Sequence, residues 1–153
     1  MTKKCTQIWH QHPQNYFPPY CFYDLAGREG TSKKTASLFN YEEAVAALQL
    51  FDRLCVEYPN VQFGGRIGVI TPYKEQRNSL RRQFSFRFQK EIIQAVDINT
   101  IDGFQGQEKD IIILSCVRAN PDQIIGFLSD GASFFLLSLY FIFLFQCAVS
   151  MWV

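Results

Sequence analysis

The chain has 153 residues, of which 48% are hydrophobic and 16% aromatic, and its formal net charge is +1. This composition predicts one folded domain with a sizeable core and excludes an intrinsically disordered chain. The near-neutral charge excludes a module that binds nucleic acid through its overall charge alone, although contact through a local groove stays compatible with it.

The cysteines indicate a reducing environment. They lie at Cys5, Cys21, Cys55, Cys116 and Cys147, without a C-x-x-C pair. No apolar segment follows the basic start of the chain, so no secretory signal is expected. We therefore predict free thiols in the cytoplasm or the nucleus. His10 and His12 lie near two of these cysteines, but their spacing fits no tetrahedral metal site, and we predict none.

The first part of the chain predicts an irregular lead-in, a strand and a helix. Residues 1–19 are rich in proline and cannot sustain a helix. Residues 20–25 form an aromatic-rich strand pattern, and a turn-rich charged loop follows over residues 26–37. Asn40 is a suitable N-cap, and apolar residues recur at helical spacing after it, which predicts an amphipathic helix over residues 41–58.

The middle of the chain alternates strands and helices. The apolar run IGVIT, residues 67–71, is typical of a buried parallel strand. A helix is predicted from Tyr73, but the period-two spacing of FSFRF leaves its end open. Residues 95–101 and 111–117 are further predicted strands. This order indicates an α/β fold with a parallel sheet.

Two polar segments follow predicted strands. They are Thr71 to Tyr73 and the glycine-containing segment from Asp102 to Gln107. Composition alone would make the second segment an ordinary surface loop. In parallel sheets, however, ligands bind beyond the carboxyl ends of the strands. We therefore expect both segments to converge on one rim of the sheet.

The motifs in these segments resemble those of a known family. IGVITPYKEQ (residues 67–76) and VDINTIDGFQGQEKDIIILSCVRAN (residues 96–120) resemble motifs IV and V of superfamily 1B helicases of the nonsense-mediated-decay and senataxin type. SLFNYEEA and IGFLSD resemble neighbouring segments of that family. The resemblance covers about residues 20–130, and two motifs in order are more specific than either alone.

The resemblance implies an incomplete RecA-like domain of the P-loop NTPase type, with a parallel sheet and helices on both faces. In that family this segment is most of the second of two RecA-like domains. ATP binds between the two domains, and single-stranded RNA or DNA runs across both. The resemblance therefore implies ATP as cofactor and, as partners, a nucleic acid and a first RecA-like domain.

The resemblance also implies roles for residues of the second motif. Glu108 corresponds to the glutamate that contacts the nucleotide, and a carboxylate can accept hydrogen bonds from ribose hydroxyls. Gly106 would let the backbone come close to a ligand, because it carries no Cβ. Thr100 and Gln105 correspond to positions near the nucleic-acid track, where hydroxyl and amide groups bond phosphate or sugar.

The first motif contributes Thr71 and Tyr73 to the same expected nucleic-acid track, with Gln76 beside them. Tyr73 could stack on a base or pack on the sheet edge, and the sequence leaves both open. A further strip comprises Lys74, Arg77 and Arg81. It would contact phosphates or form a solvated helix face, with the second alternative favoured.

The chain departs from the family in three places. It contains no G-x-x-x-x-G-K-[ST] loop to bind a triphosphate and no acidic pair in the setting of a Walker B motif. The magnesium that serves the intact family therefore lacks its ligands here. The arginine-rich motif VI, expected after Asp130, is replaced by other sequence. Whether the chain is an enzyme by itself stays open.

The segment that replaces motif VI is the apolar tail, residues 131–153. It contains no charged residue, and its length reaches the roughly 20 residues that a membrane span requires. We predict an apolar C-terminal helix, which is either a membrane anchor or sequence foreign to the fold, with the second favoured. A membrane location is thus the alternative to cytoplasm or nucleus.

Three functions follow from these patterns. The leading one is a partial helicase domain, inactive alone, that contributes nucleotide and nucleic-acid contacts. The alternatives are a non-catalytic interaction or regulatory protein with a helicase-like fold, and a tail-anchored membrane protein.

Overall fold

A computed structural model describes residues 7–14, 17–88, 96–119 and 148–152. Its α-helices are α1 (Tyr41–Glu57) and α2 (Lys74–Arg87), and its strands are β1 (Tyr20–Asp24), β2 (Glu29–Thr31), β3 (Leu38–Asn40), β4 (Ile67–Thr71), β5 (Val96–Thr100), β6 (Ile111–Ser115) and β7 (Ala148–Trp152). Short 3-10 helices occupy Ile8–Gln11 and Asp102–Phe104.

Five of the described strands form a parallel sheet in the order β1-β7-β6-β4-β5. In the register, β4 pairs with β5 from Ile67 opposite Val96 to Thr71 opposite Thr100. On its other side, β4 pairs with β6 from Ile67 opposite Ile111. The predicted α/β class and parallel pairing are therefore confirmed, and the sheet is consistent with a RecA-like fold.

Both described α-helices pack on one face of the sheet. Phe51 and Leu54 of α1 and Leu80 and Phe84 of α2 are buried in one cluster with side chains of β4, β5 and β6. The apolar face predicted for α1 is thus confirmed. Asn40 caps α1 as expected, because its side chain accepts the backbone N–H of Glu43.

The opposite face carries the connection from β5 to β6, residues 101–110, which we call the return. Phe104 lies there, fully buried, in a cluster with Ile112 and Leu114. A Cβ at Gly68 would overlap the Phe104 ring and lie 3.1 Å from Ile112 Cδ1. The connection through α2 runs from β4 to β5, whereas the return runs from β5 past β4 to β6. Because these two connections have the same handedness but opposite directions, they lie on opposite faces of the sheet. Of the predicted helices on both faces, the described residues supply only the 3-10 helix here.

The structure adds one element to the predicted loop of residues 26–37. β2 and β3 form an antiparallel pair, with Gly30 opposite Phe39. A Cβ on Gly30 would lie 2.6 Å from Cζ of the Phe39 ring, so any larger residue there would require that ring to move. Each strand has three residues, too few to show an alternating pattern in the sequence.

The prediction of an apolar C-terminal helix is wrong for the end of the tail. Residues Ala148–Trp152 form β7, which pairs in parallel with β1 on one side and β6 on the other. A run of apolar residues fits a strand inside a parallel sheet as well as it fits a helix. Within the described ranges, no helix is long and apolar enough to span a membrane. The prediction for residues 131–147 and the IGFLSD motif fall outside those ranges.

Candidate functional site

The carboxyl end of β4 forms the first part of the site. Thr71 is fully buried, and its hydroxyl accepts the backbone N–H of Tyr73 at 3.4 Å. Its carbonyl oxygen accepts the N–H of Ile101 at 3.1 Å. Thr71 therefore shapes the rim and ties β4 to the segment after β5. Tyr73 is partly exposed at the N-cap of α2.

Asn99 holds the start of the second polar segment. Its amide donates to the carbonyl oxygen of Gly103 at 2.9 Å, and its oxygen accepts the backbone N–H of Thr100, also at 2.9 Å. A Cβ on Gly103 would lie 2.6 Å from that oxygen. Sequence reasoning missed Asn99. The signal was available, because Asn before a glycine-containing turn often bonds nearby backbone.

In the middle of this segment one side chain is buried, and its neighbours face solvent. Phe104 is buried, whereas Gln105, Gly106 and Glu108 are exposed. Gly106 has a φ of 80° with open space around its Cβ position, so a glycine is needed there for its backbone angle. Within the described part of the chain, the side chains of Gln105 and Glu108 make no hydrogen bond or ion pair.

The residues that follow this segment are anchored at the opposite end of the strands, near the amino ends of β4 and β5. The backbone N–H of Asp110 donates to Arg66, just before β4, at 2.9 Å, and the two side chains form an ion pair. Lys109 pairs with Asp97 and donates to the Gly65 carbonyl at 2.8 Å. Residues 109 and 110, which follow the predicted segment, therefore lie near the amino end of β4, whereas the segment begins at the carboxyl end of β4.

Two places result from this path. Thr71, Tyr73 and Thr100 lie at the carboxyl rim, where the return begins. Glu108 comes just before Lys109 and Asp110, which are fastened near the amino ends of β4 and β5. Thr71, Tyr73 and Thr100 are thus separated from Glu108 along the strand direction, because the return runs the length of the sheet.

The predicted basic strip is divided in the structure. Arg81 donates from Nε and Nη2 to the Ile98 carbonyl at 3.2 and 2.9 Å, and so satisfies an acceptor on β5. It lines a groove of about 400 Å³ with Gln107 and Asn99. Lys74 is exposed, while Arg77 Nε is buried with no partner in the described structure. The two alternatives for this strip stay open for Lys74 and Arg77.

Gln76 lies in a buried polar network that links α2 to β3 and β6. Its side chain accepts the backbone N–H of Asn40 and donates to the Asn40 carbonyl, both at 2.9 Å. It also donates to the Ser115 hydroxyl at 2.9 Å. All three residues are fully buried. The bonds therefore satisfy groups that would otherwise be costly to bury.

Glu43 is the charged member of this network, and its exposed fraction is zero. Its carboxylate accepts the Ser115 hydroxyl at 2.6 Å, the Val117 N–H at 3.0 Å and the Asn40 amide at 3.4 Å. Burial raises the pKa of Glu43 from its ordinary value of 4.5 to about 7, although the bonds from Ser115, Val117 and Cys116 favour the ionised form and partly oppose this shift.

A second glutamate holds the same stretch of backbone. Glu29, from β2, accepts the N–H of Ala119 at 3.0 Å and forms an ion pair with Arg118 at 3.4 Å. Between these glutamates, Val117 has a φ of 74°, which is rare for a β-branched residue. Glu29 therefore holds both the side chain of Arg118 and the backbone of Ala119. The sequence contains no signal for these long-range partners.

The described residues contain no group of three His, Cys, Asp or Glu side chains that could hold a metal ion. For a nucleotide the fit is partial. Glu108 offers an exposed acceptor for hydroxyl groups beside the exposed backbone of Gly106.

The fold and these two motif segments define a class of protein. The profile of the AAA domain family matches residues 1–134, and the chain belongs to that family. Within it, the chain is of the senataxin and nonsense-mediated-decay type of superfamily 1B helicases, as the relatives that it resembles show.

The relatives are long proteins. The chain is 46% identical over 130 residues to helicase sen1 of Schizosaccharomyces pombe, covering 85% of this chain and 8% of that protein. It is 38% identical over 126 residues to ATP-dependent helicase NAM7 of Saccharomyces cerevisiae, covering 77% and 13%. It is 36% identical over 115 residues to regulator of nonsense transcripts 1 of Dictyostelium discoideum, covering 73% and 8%. The chain thus spans less than a sixth of each relative.

Proposed function

We propose that this helicase-family domain supplies part of the second RecA-like domain of an ATP-dependent RNA or DNA helicase. The observation that carries the proposal is the return from β5 to β6. It is fastened at Ile101 and Asp110, yet Gln105 and Glu108 between them project into solvent without partners in the described structure. A held backbone with free polar side chains suits a ligand-binding loop.

Single-stranded nucleic acid would lie at the carboxyl rim. Tyr73 offers a ring for base stacking, and Thr100 and Gln105 offer hydrogen-bonding groups for phosphate or sugar. Thr71 would act by holding Tyr73, because its own side chain is buried. Lys74 and Arg77 add positive charge beside this rim. With so few basic groups, binding should be weak and its salt dependence shallow.

Titration of a fluorescent single-stranded RNA oligonucleotide into the full chain at low salt tests the rim. We expect Tyr73→Ala and Gln105→Ala to weaken binding several-fold. Tyr41→Ala and Gln49→Ala are matched controls, since both side chains are exposed on α1. Absence of binding by the folded wild type, or equal losses in the controls, would contradict the rim assignment.

The nucleotide would contact Glu108 and the backbone at Gly106. We propose that a first RecA-like domain supplies the phosphate-binding groups, because these 153 residues contain no phosphate-binding loop. The full chain alone should therefore show no ATP turnover. RNA-stimulated turnover by the wild type above a Glu108→Ala variant would contradict this. RNA binding without ATP turnover is also expected for the alternative function, a non-catalytic interaction protein.

A further inference from the structure

The backbone that leaves β6 has an unusual support. Cys116 and Val117 follow the strand directly, and Glu43 accepts a hydrogen bond from the backbone of each. Two residues later, Glu29 accepts the N–H of Ala119 and pairs with Arg118. Carboxylates from two separate elements, α1 and β2, thus hold four consecutive residues. We call residues 116–119 and these two carboxylates the carboxylate clamp.

The clamp holds a conformation that the backbone does not favour by itself. Val117 has a φ of 74°, and its side chain is fully buried. Such a conformation in a residue other than glycine costs about 1 to 3 kcal/mol and persists only where its surroundings impose it. The hydrogen bond from its N–H to Glu43 and the bond from the Asn40 amide to its carbonyl, at 3.4 Å, are such constraints.

The clamp is connected to the carboxyl rim. Ile70 is opposite Leu114 in the register, so the ends of β4 and β6 are neighbours. Ser115 donates to Glu43 and accepts from Gln76, which lies in the first turn of α2 after Tyr73. A continuous set of hydrogen bonds therefore runs from the backbone after β6 to the helix start that carries Tyr73.

We propose that Glu43 and Glu29 are positioning residues, which fix the backbone after β6 and, through Ser115 and Gln76, the position of Tyr73 at the rim. Among the described residues, the hydrogen-bond partners of Glu43 are all uncharged, namely Asn40, Ser115 and the backbone of residues 116 and 117. The converging donors thus offset part of the cost of burying this carboxylate. The consequence for nucleic-acid binding rests on the proposed function, whereas the local effect does not.

Amide hydrogen exchange on the full chain tests the clamp. Glu43→Gln keeps the side-chain size but leaves one acceptor oxygen where several donors converge. We expect the Cys116 and Val117 amides to exchange about tenfold faster, while amides within β4 and β5 keep their protection. Glu29→Gln should likewise raise the exchange rate of the Ala119 amide, which donates to Glu29. The matched control is Glu42→Gln, an exposed neighbour of the same charge.

Two outcomes would overturn the clamp. Unchanged exchange at Val117 in Glu43→Gln would mean that the carboxylate does not hold the backbone. An equal rise across all strands would mean that Glu43 stabilises the fold as a whole without a local role. A Glu43→Gln chain with altered exchange should also bind the RNA oligonucleotide several-fold more weakly, and unaltered affinity would remove the link to Tyr73. If the wild type binds no RNA, the proposed function fails, while the exchange result still decides the clamp.

Discussion

The exposure of single side chains distinguishes those that hold the backbone in place from those that are available to a ligand. Thr71 and Gln76, both in the first motif, are fully buried and hold backbone in place. Glu108 and Gln105, in the second motif, are exposed and bonded to nothing in the described structure. A motif therefore combines residues that shape a loop with residues that are available to a ligand.

The first residue-scale prediction concerns pH. Because the pKa of Glu43 is raised from 4.5 to about 7 on folding, the folded state binds more protons than the unfolded state between these pH values. This contribution to stability is fully present below pH 4.5 and is lost as pH rises to about 7. Relative to Glu43→Gln, the wild type should lose about 3 kcal/mol of unfolding free energy across this interval. Urea titrations of both chains at several pH values measure it, and a pH-independent difference would contradict it.

The second residue-scale prediction concerns Gly68. An alanine here should destabilise the domain by about 1 to 3 kcal/mol, because the new Cβ would overlap the ring of Phe104, which is fully buried. Gly106→Ala is the comparison, since its Cβ position is open and only its φ of 80° opposes the change. Denaturation midpoints should fall further for Gly68→Ala. A larger loss at Gly106 would count against the packing of Phe104.

At the scale of elements, the return from β5 to β6 is an ordered connection. Asn99 fastens its start, Phe104 packs its middle on the sheet, and Asp110 fastens its end. An anchor in each third of the segment leaves only the side chains between them free. This arrangement lowers the entropy that a ligand must remove when it binds the loop.

The element-scale prediction separates the two bonds of Asn99. Asn99→Asp keeps an acceptor for the Thr100 N–H but places a negative charge against the Gly103 carbonyl, to which the amide now donates. We expect Asn99→Asp to raise amide exchange at residues 100–103 at least as much as Asn99→Ala. Asn78→Asp, on the exposed side of α2, is the control. If Asn99→Ala were much the worse variant, the bond to Gly103 would not be the important one.

At the scale of the whole molecule, β7 joins β1 to the rest of the sheet. It lies between β1 and β6 and pairs with both. Without it, β1 would have no partner in the described sheet, and an edge of β6 would be open. Residues 148–152 of the apolar tail therefore pair within the described sheet, whereas the family match ends at residue 134.

The whole-molecule prediction is that a chain ending at Asp130 is soluble but only marginally stable. It loses the ladders that β7 forms with its two neighbours, so its urea midpoint should be well below that of the full chain. A less extreme variant, Val149→Pro, should lower the midpoint in the same direction, because proline removes a ladder donor. Equal midpoints for all three chains would contradict the role of β7. Alkali-resistant membrane insertion of the full chain would instead support an anchor.

The sequence by itself determined the α/β order, the bounds of α1 and β4, the cap at Asn40 and the two motif segments. These features follow from local periodicity and from short-range backbone preferences. Tertiary structure alone decided that Glu108 and Thr71 lie at different places, that residues 148–152 form a strand, and that Glu43 and Glu29 hold Val117 to Ala119. Each of these depends on partners distant in the chain, such as Glu43 and Val117, which are 74 positions apart, and local patterns carry no information about such pairs.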